Sequence, residues 1–321
     1  MESLSIVGID IGSHSTILST VKTGGIETVR SDTGGVTTPC IVAYGDNERL
    51  VGDAAQNQAK MNFRNTVLYS YRFMGLNTLT EEQRKIEESY ITNKTVNLDG
   101  NRIGFEVRHR GEVQQLLPEQ VLACFLRKLK DRIDPTGTSK PEIVLSVPSY
   151  FSQVERQSVL DAAKIADLNV LRLINEGTAT ALSYGFYRKN ELTDQPRNVA
   201  FVDFGHSKFT VTIASFVKGK LKILASASDR NVGARVMDAM LIEKYGGEFN
   251  DKYGADPRKV PKCRLRMFDA IEKVRKTLSG NKETNLNIEC LLEDEDIHAQ
   301  IQREDFEAMI APLMARVGEV C

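Results

Sequence analysis

The chain has 321 residues, 41% of them hydrophobic and 26% charged, which is ordinary for a soluble globular protein and predicts about two domains. This composition excludes a largely disordered chain, a collagen and a small disulfide-stapled protein. The 42 basic residues nearly balance the 43 acidic ones and give a net charge of -1, so the surface as a whole does not supply the positive charge that non-specific nucleic-acid binding requires.

In chain order, apolar and polar residues predict strands and helices that alternate in blocks. The predicted strands are 4–11, 16–21, 26–29, 40–44, a hairpin over 96–113 with its turn at 99–101, 143–147, 170–173 and 286–301. The predicted helices are 53–73, 80–90, 118–133, 152–166 opened by a capping box, 177–187, 234–252, 260–279 and one from 304. This alternation is typical of an α/β protein.

An internal repeat divides the chain. The segment Val7–Ser13 is echoed by Ala200–His206, and each copy is followed by a β-like run and a tight hairpin at nearly the same offset. The repeat predicts two homologous lobes around a cleft, each opening with a β-hairpin. We expect lobe I at 1–190, with a peripheral subdomain at about 40–116, and lobe II at 191–321.

In each copy of the repeat an aspartate ends a strand and a glycine follows two residues later: Asp10 with Gly12, and Asp203 with Gly205. Glycine lets backbone amides approach a ligand closely, and successive amides form a concavity for anionic oxygens. The aspartates suit a hydrated Mg²⁺ beside a polyphosphate, because Mg²⁺ keeps its waters and prefers oxygen ligands. The alternative is that both aspartates merely cap the hairpins of a duplicated fold.

The five cysteines are scattered without a Cys-x-x-Cys pair, which predicts free thiols in a reducing compartment and no zinc site. The N-terminus lacks the basic start and apolar run of a signal peptide. No window approaches the ~20 apolar residues of a membrane span. We therefore expect a cytoplasmic protein, with the nucleus as an alternative, that binds neither membranes nor nucleic acid.

Several motifs together resemble the actin-like nucleotide-binding domain of the seventy-kilodalton heat-shock chaperones. They are Gly8-Ile9-Asp10-Ile11-Gly12, Ser146-Val147-Pro148-Ser149-Tyr150-Phe151 and Ile174-Asn175-Glu176-Gly177-Thr178-Ala179. Gly205-His206-Ser207 stands where ordinary members carry three glycines, which is similar to the large, hundred-and-ten-kilodalton branch. That branch serves mainly as a nucleotide-exchange partner of the smaller chaperones.

The resemblance implies a site for ATP or ADP with Mg²⁺. It implies that Asp10 and Asp203 hold the metal through water, and that Glu176 acts with the attacking water. The phosphate-binding positions it implies are Gly12, Ser13, His14, Gly205, His206 and Ser207. The adenosine-facing positions it implies are Glu272, Arg275, Lys276 and Ser279, although a solvated basic helix face is the alternative for the two cations.

Three departures from the family pattern bear on hydrolysis. Tyr71 stands at the position of the catalytic lysine, and a phenol cannot supply the ammonium charge that stabilises phosphoryl transfer. Lys208 and Thr210 replace a threonine and an aspartate of the second loop; Lys208 either contacts phosphate or faces solvent, and Thr210 has no charge to orient water. These changes predict weak hydrolysis or none.

The resemblance also implies an adenosine loop and later domains for which this chain has no counterpart, so we expect a fragment or a truncated member. The favoured function is an ATP-binding exchange partner of a seventy-kilodalton chaperone, with unfolded clients as further partners if a longer chain exists. The alternatives are a decayed scaffold that binds no nucleotide and an active ATP-hydrolysing motor domain.

Overall fold

The computed structural model describes residues 6–22, 24–76, 80–99, 102–137, 141–292 and 295–321. Within these ranges it contains 17 strands and eight α-helices, and the predicted α/β class is confirmed. The chain divides into two compact units, the first reaching to Val199 and including Ala214–Leu224, the second formed by Ala200–Ile213 and Ala225–Cys321.

The strands are β1 (Ile6–Ile11), β2 (Ser15–Lys22), β3 (Gly25–Val29), β4 (Thr38–Pro39), β5 (Ile41–Tyr44), β6 (Arg49–Val51), β7 (Thr66–Leu68), β8 (Lys94–Leu98), β9 (Arg102–His109), β10 (Glu112–Leu116), β11 (Glu142–Val147), β12 (Asn169–Asn175), β13 (Arg197–Phe204), β14 (Phe209–Val217), β15 (Lys220–Asp229), β16 (Glu283–Leu292) and β17 (Glu295–Gln302).

The α-helices are α1 (Asp53–Gln58), α2 (Glu81–Glu88), α3 (Pro118–Ile133), α4 (Gln153–Ile165), α5 (Glu176–Tyr187), α6 (Ala234–Tyr253), α7 (Pro261–Leu278) and α8 (Arg303–Val320). Short 3-10 helices occupy Phe63–Asn65, Ser70–Phe73 and Pro257–Lys259. In the described ranges no helix is both long and apolar enough to cross a membrane.

The main sheet of the first unit has the order β12-β11-β1-β2-β3, and β4 pairs with β2. Strand β1 runs parallel to β11 and antiparallel to β2. Its side chains alternate, so that Val7, Ile9 and Ile11 are buried while Asp10 is exposed on the other face. The ends of β1, β11 and β12 that lie at Ile11, Val147 and Asn175 share one edge of the sheet, because the three strands are parallel.

The core of the second unit is formed by helices packed on a β-hairpin. Strands β16 and β17 pair antiparallel, and α6, α7 and α8 pack against them through a continuous apolar cluster that includes Leu241, Ile271, Leu286, Ile301 and Phe306. Helix α6 ends where Gly254 adopts a left-handed conformation with φ of 71°, a position that glycine occupies without a Cβ clash.

The predicted helix over 53–73 is wrong. Helix α1 ends at Gln58, and β7 pairs with β5 through Val67 opposite Val42. Tertiary pairing outweighs the helical spacing because Thr66, Val67 and Leu68 are all buried in that sheet.

The predicted hairpin over 96–113 is a three-stranded meander of order β10-β9-β8. Its second turn contains Arg110 and Gly111, both at positive φ, as hairpin turns favour. Residues 100 and 101 of the predicted turn lie outside the described residues, as does Thr23 of the first hairpin. The predicted capping box of α4 is confirmed, with the Ser152 hydroxyl 3.3 Å from the amide of Glu155.

Candidate functional site

The two copies of the repeat form the same turn. The amide of Gly12 donates to the carbonyl of Ser15 at 3.0 Å, and the amide of Gly205 donates to the carbonyl of Lys208 at 2.9 Å. A Cβ at position 12 would lie 2.8 Å from the Ser15 oxygen, and one at 205 would lie 3.3 Å from the Lys208 oxygen. The sequence repeat is therefore a backbone repeat: each turn is closed by one hydrogen bond and leaves little room for a Cβ at its glycine.

Asp10 lies on the exposed face of β1, one residue before that strand ends. Its Oδ1 accepts a hydrogen bond from the hydroxyl of Ser146, which is the one side-chain donor to Asp10 among the described residues. The parallel register pairs Leu145 with Ile9 and so places Ser146 beside Asp10. The carboxylate is thus anchored on one side and open on the other.

Tyr71, at the position where the resemblance implies the catalytic lysine, is buried, with 5% of its surface exposed. Its ring packs against Phe151 with the centroids 5.4 Å apart, and its hydroxyl donates to the carbonyl of Ser146 at 3.4 Å. Burial raises the pKa of the Tyr71 phenol well above its ordinary value, and nearby Tyr150, Asp10 and Cys40 raise it further. The phenol is therefore neutral at physiological pH and brings no charge to Asp10.

Arg72, the next residue, does not replace the missing cation. Its guanidinium is buried in an ion pair with Glu87, with a nitrogen–oxygen distance of 2.5 Å. Glu87 lies on α2, so the Arg72 charge is directed toward that helix and neutralised there.

Glu176 is the first residue of α5 and is half-buried. It follows Asn175, the last residue of β12, and so belongs to the same edge of the sheet as Asp10. The Arg156 guanidinium fixes this segment by donating to Asn175 Oδ1 at 2.8 Å and to the carbonyl of Phe151 at 2.9 Å. The first unit thus places two carboxylates, Asp10 and Glu176, at the carboxyl ends of parallel strands, where ligands bind in open α/β sheets.

Ser13 and His14 lie in the turn between β1 and β2, and both are half-buried. The His14 ring stacks on Tyr69 with the centroids 6.4 Å apart, and its carbonyl accepts from the amide of Cys40 at 2.9 Å. The Cys40 Sγ in turn forms a hydrogen bond with the Thr16 Oγ1, and the two atoms are 2.8 Å apart. Burial raises the pKa of the Cys40 thiol to about 12, so this thiol is neutral and supports the turn.

The second loop packs on the start of α6. The amides of Ala234 and Arg235 donate to the carbonyls of Gly205 and His206 at 3.0 and 2.8 Å. Gly233 permits this approach, because a Cβ there would lie 2.7 Å from the His206 oxygen. Ser207, the third residue implied by the resemblance in this loop, is buried.

The two substituted positions of the second loop differ in exposure. Lys208 is half-buried, whereas Thr210 is only 4% exposed and its hydroxyl is buried without a hydrogen-bond partner among the described residues. Asp203, at the end of β13, is exposed. Thr210 is thus a buried, uncharged residue at the position where the resemblance implies an aspartate.

The residues implied to face adenosine all lie near the C-terminal end of α7. Arg275 is engaged by Asp238 of α6, with Nε 2.6 Å from Oδ1. Lys276 pairs with Glu272 at 2.7 Å on the helix surface, and the Ser279 hydroxyl donates to the Lys276 carbonyl at 2.6 Å. The structure thus gives Arg275 a partner within the protein and leaves the Lys276–Glu272 pair at the surface.

The donor set fits a hydrated Mg²⁺ better than a directly coordinated metal. In the part of the chain that the structure describes, no three His, Cys, Asp or Glu side chains lie close enough together to hold a metal ion. Exposed carboxylates beside tight glycine turns suit a cation that keeps its waters and bridges to phosphate oxygens. In the first unit Asp10 is the carboxylate that would hold such a cation, and in the second unit, described by itself, the corresponding carboxylate is Asp203.

Three residues of these sites had no role in the sequence-based prediction: Ser146, Arg156 and Asp238. Ser146 had a usable signal, because it is a hydroxyl residue that follows the apolar run Ile143–Leu145 at the end of a strand. Arg156 and Asp238 had none, since their partners lie 19 and 37 residues away in the sequence.

The comparisons with known proteins identify the class. The family model described as Hsp70 protein matches residues 6–321, and the chain belongs to the Hsp70 family. It has the actin-like ATPase fold of that family's nucleotide-binding domain, as the resemblance implied.

Three curated relatives are similar over nearly the whole of this chain. It is 38% identical over 318 residues to the 97 kDa heat shock protein of Mesocentrotus franciscanus, and 38% identical over 318 residues to heat shock protein hsp88 of Neurospora crassa. It is 35% identical over 315 residues to a heat shock protein homolog of Saccharomyces cerevisiae. These matches cover 97–98% of this chain and confirm the expected likeness to the large branch.

The chain spans less than half the length of the curated relatives it matches. The match covers 36% of the 97 kDa protein and 45% of both hsp88 and the Saccharomyces cerevisiae homolog. The similarity therefore concerns only part of each of those proteins.

Proposed function

We propose that this protein is an ATP-binding partner of a seventy-kilodalton heat-shock chaperone that promotes nucleotide release from it and hydrolyses ATP weakly or not at all. The observation that carries the proposal is the neutral, buried Tyr71 beside an intact Asp10. Phosphoryl transfer depends on positive charge placed at the transferring phosphoryl group. The carboxylates that would hold a metal-bound nucleotide, such as Asp10, are present. The positive charge that ATP hydrolysis needs is absent at position 71.

The residues divide the work of nucleotide binding. In the first unit the turn at Gly12 would bring backbone amides to a phosphate, and Asp10 would accept hydrogen bonds from the waters of Mg²⁺. In the second unit the turn at Gly205 and Asp203 would offer the same kinds of group. Glu272 and Lys276 are exposed enough to reach adenosine, whereas Arg275 supports them by fastening α7 to α6. Mg²⁺, when bound with the nucleotide, would neutralise part of the negative charge of the phosphates, because the aspartates are themselves negative and suit phosphate only through the hydrated cation.

We propose that the protein acts through its nucleotide-bound state and that it does not need to hydrolyse ATP. Nucleotide shifts the population toward one arrangement of the protein only as far as it binds that arrangement more tightly. In its nucleotide-bound form the protein binds the partner chaperone, in the cytoplasm or the nucleus. Unfolded clients are further partners of any longer chain that contains this one.

Stopped-flow release of fluorescent ADP from a seventy-kilodalton chaperone tests the proposal. With ATP present, adding this protein is expected to accelerate ADP release, and a non-hydrolysable ATP analogue is expected to support the same acceleration. An Asp10→Asn variant is the matched control, because it keeps the side-chain shape and removes the charge. Absence of acceleration by this protein with ATP present would contradict the proposal and favour a scaffold that binds no nucleotide.

A further inference from the structure

The hydroxyl of Ser146 occupies a central place at the carboxyl edge of the main sheet. Ser146 lies on β11, between β1 with Asp10 and β12 with Ile174, its register partner. It is 6% exposed. Its position relative to Asp10 is therefore set by the ladders of two neighbouring strands and not by a loop.

The side chain of Ser146 contacts Asp10. Its hydroxyl donates to Asp10 Oδ1, while its own carbonyl accepts from the Tyr71 hydroxyl at 3.4 Å. The two bonds involve different atoms of Ser146: Tyr71 holds the backbone carbonyl, and the side-chain hydroxyl holds Asp10.

One hydrogen bond can orient the Asp10 carboxylate and still leave most of its acceptor positions available. An ionised carboxylate has about four lone-pair positions, so a single bond at Oδ1 leaves Oδ2 and the rest of Oδ1 for other donors. A hydrogen bond to a charged group is also stronger than one between neutral groups. Asp10 is therefore held in one orientation on an otherwise exposed face.

We propose that Ser146 is a positioning residue that orients Asp10 toward the water shell of a nucleotide-bound Mg²⁺. The proposal rests on the proposed function, since it concerns the same phosphate site. Groups that hold a metal's ligands in place by hydrogen bonding change metal affinity by about 10–100-fold when they are removed. Ser146 affects the Mg²⁺-dependent part of nucleotide affinity and leaves the metal-free part unchanged.

The test measures ADP affinity by fluorescence of a labelled ADP, once with Mg²⁺ and once with EDTA, for the wild-type chain and three variants. Ser146→Ala is expected to weaken Mg-ADP binding by about 10-fold and to change the affinity in EDTA by less than about 2-fold. Ser146→Thr, which keeps the hydroxyl, is expected to restore the Mg²⁺-dependent affinity.

Ser158→Ala is the matched control. Ser158 is also 6% exposed and also donates its hydroxyl to a carboxylate, Glu119, at 2.7 Å. It lies on α4, and its partner Glu119 lies on α3. Ser158→Ala is expected to lower stability as Ser146→Ala does. It is not expected to weaken ADP binding with Mg²⁺ more than ADP binding in EDTA.

The outcomes distinguish this inference from the proposed function. Equal loss with Mg²⁺ and with EDTA in Ser146→Ala, or no loss in either, would overturn the role of Ser146 alone. If the wild-type chain binds no nucleotide at all, the proposed function fails. The orientation of Asp10 in a crystal structure of Ser146→Ala then decides the inference: a reoriented carboxylate supports it and an unchanged one overturns it.

Discussion

The guanidinium of Arg275 holds the carboxylate of Asp238, with Nε 2.6 Å and Nη2 3.2 Å from its two oxygens. The pair joins α7 to α6, and the Asp238 side chain is 5% exposed and that of Arg275 17%. Burial raises the pKa of Asp238 even though the Arg275 charge opposes that change. The family resemblance placed Arg275 among the adenosine-facing residues, and the structure gives it a structural partner.

Removing one member of this pair is expected to destabilise the second unit strongly. Arg275→Ala leaves the Asp238 carboxylate buried without its partner, which typically costs about 3–5 kcal/mol. Lys276→Ala on the same helix breaks only the exposed pair with Glu272, for which about 0.5 kcal/mol is expected. Urea unfolding of the two variants measures the difference, and equal losses would contradict a structural role for Arg275.

Restoring the charge at position 71 is expected to restore turnover. Tyr71→Lys places an ammonium group beside Asp10, and electrostatic groups aimed at a developing charge commonly contribute on the order of 10²-fold in rate. Single-turnover phosphate release from Mg-ATP measures the effect. Comparable hydrolysis by the unmodified chain and by an ordinary family member would show that Tyr71 does not limit turnover.

Tyr71→Phe is the control for that experiment. It keeps the ring packed against Phe151 and removes the hydroxyl that bonds Ser146, so it adds no charge. Its turnover is expected to stay at the wild-type level. A gain equal to that of Tyr71→Lys would mean that the lysine acts by relieving packing and not through its charge.

A side chain at position 233 is expected to disturb the second loop. In Gly233→Ala the new Cβ would lie 2.7 Å from the His206 oxygen and 2.8 Å from the Ser207 Cα, and overpacking of this kind costs about 1–3 kcal/mol. Gly280→Ala is the control, because its Cβ meets nothing within 4 Å. Unfolding curves check stability, and a neutral Gly233→Ala would contradict the tight approach of the loop to α6.

Alkaline pH is expected to destabilise the first unit through Cys40. Burial raises the pKa of this thiol from 9.0 to about 12, so between these values the unfolded chain loses a proton that the folded chain keeps. The free energy of unfolding therefore falls as the pH rises through this window, by up to about 1.4 kcal/mol per pH unit for one group.

Urea unfolding between pH 8 and pH 10.5 checks this expectation. Cys40→Ala should show a shallower decline than the wild type, whatever its stability at neutral pH. Cys290→Ala is the control, because it removes an exposed free thiol of the second unit and leaves Cys40 in place. Equal slopes in all three proteins would contradict the assignment to Cys40.

Local patterns predicted much of the fold because they reflect local physics. The capping box at Ser152 and Glu155, the alternation of β1 and the tight turns at Gly12 and Gly205 depend on residues within a few positions of one another. The stretch 53–73 was predicted wrongly as a helix, because Val67 and Leu68 find their partners in β5. A single-sequence pattern carries no information about that pairing.

The sequence by itself determined the class of the protein: the repeated Asp-x-Gly motifs, the family blocks and the substitution at Tyr71 are all properties of residue identity. Only the tertiary structure decided what the substituted and charged residues do. It buries Tyr71 as a neutral phenol, ties Arg275 to Asp238 and places Ser146 beside Asp10. Arg275 and Asp238 are 37 residues apart in the sequence, and Ser146 and Asp10 are 136 apart. Such contacts arise from packing, which desolvates some charged groups and orients others.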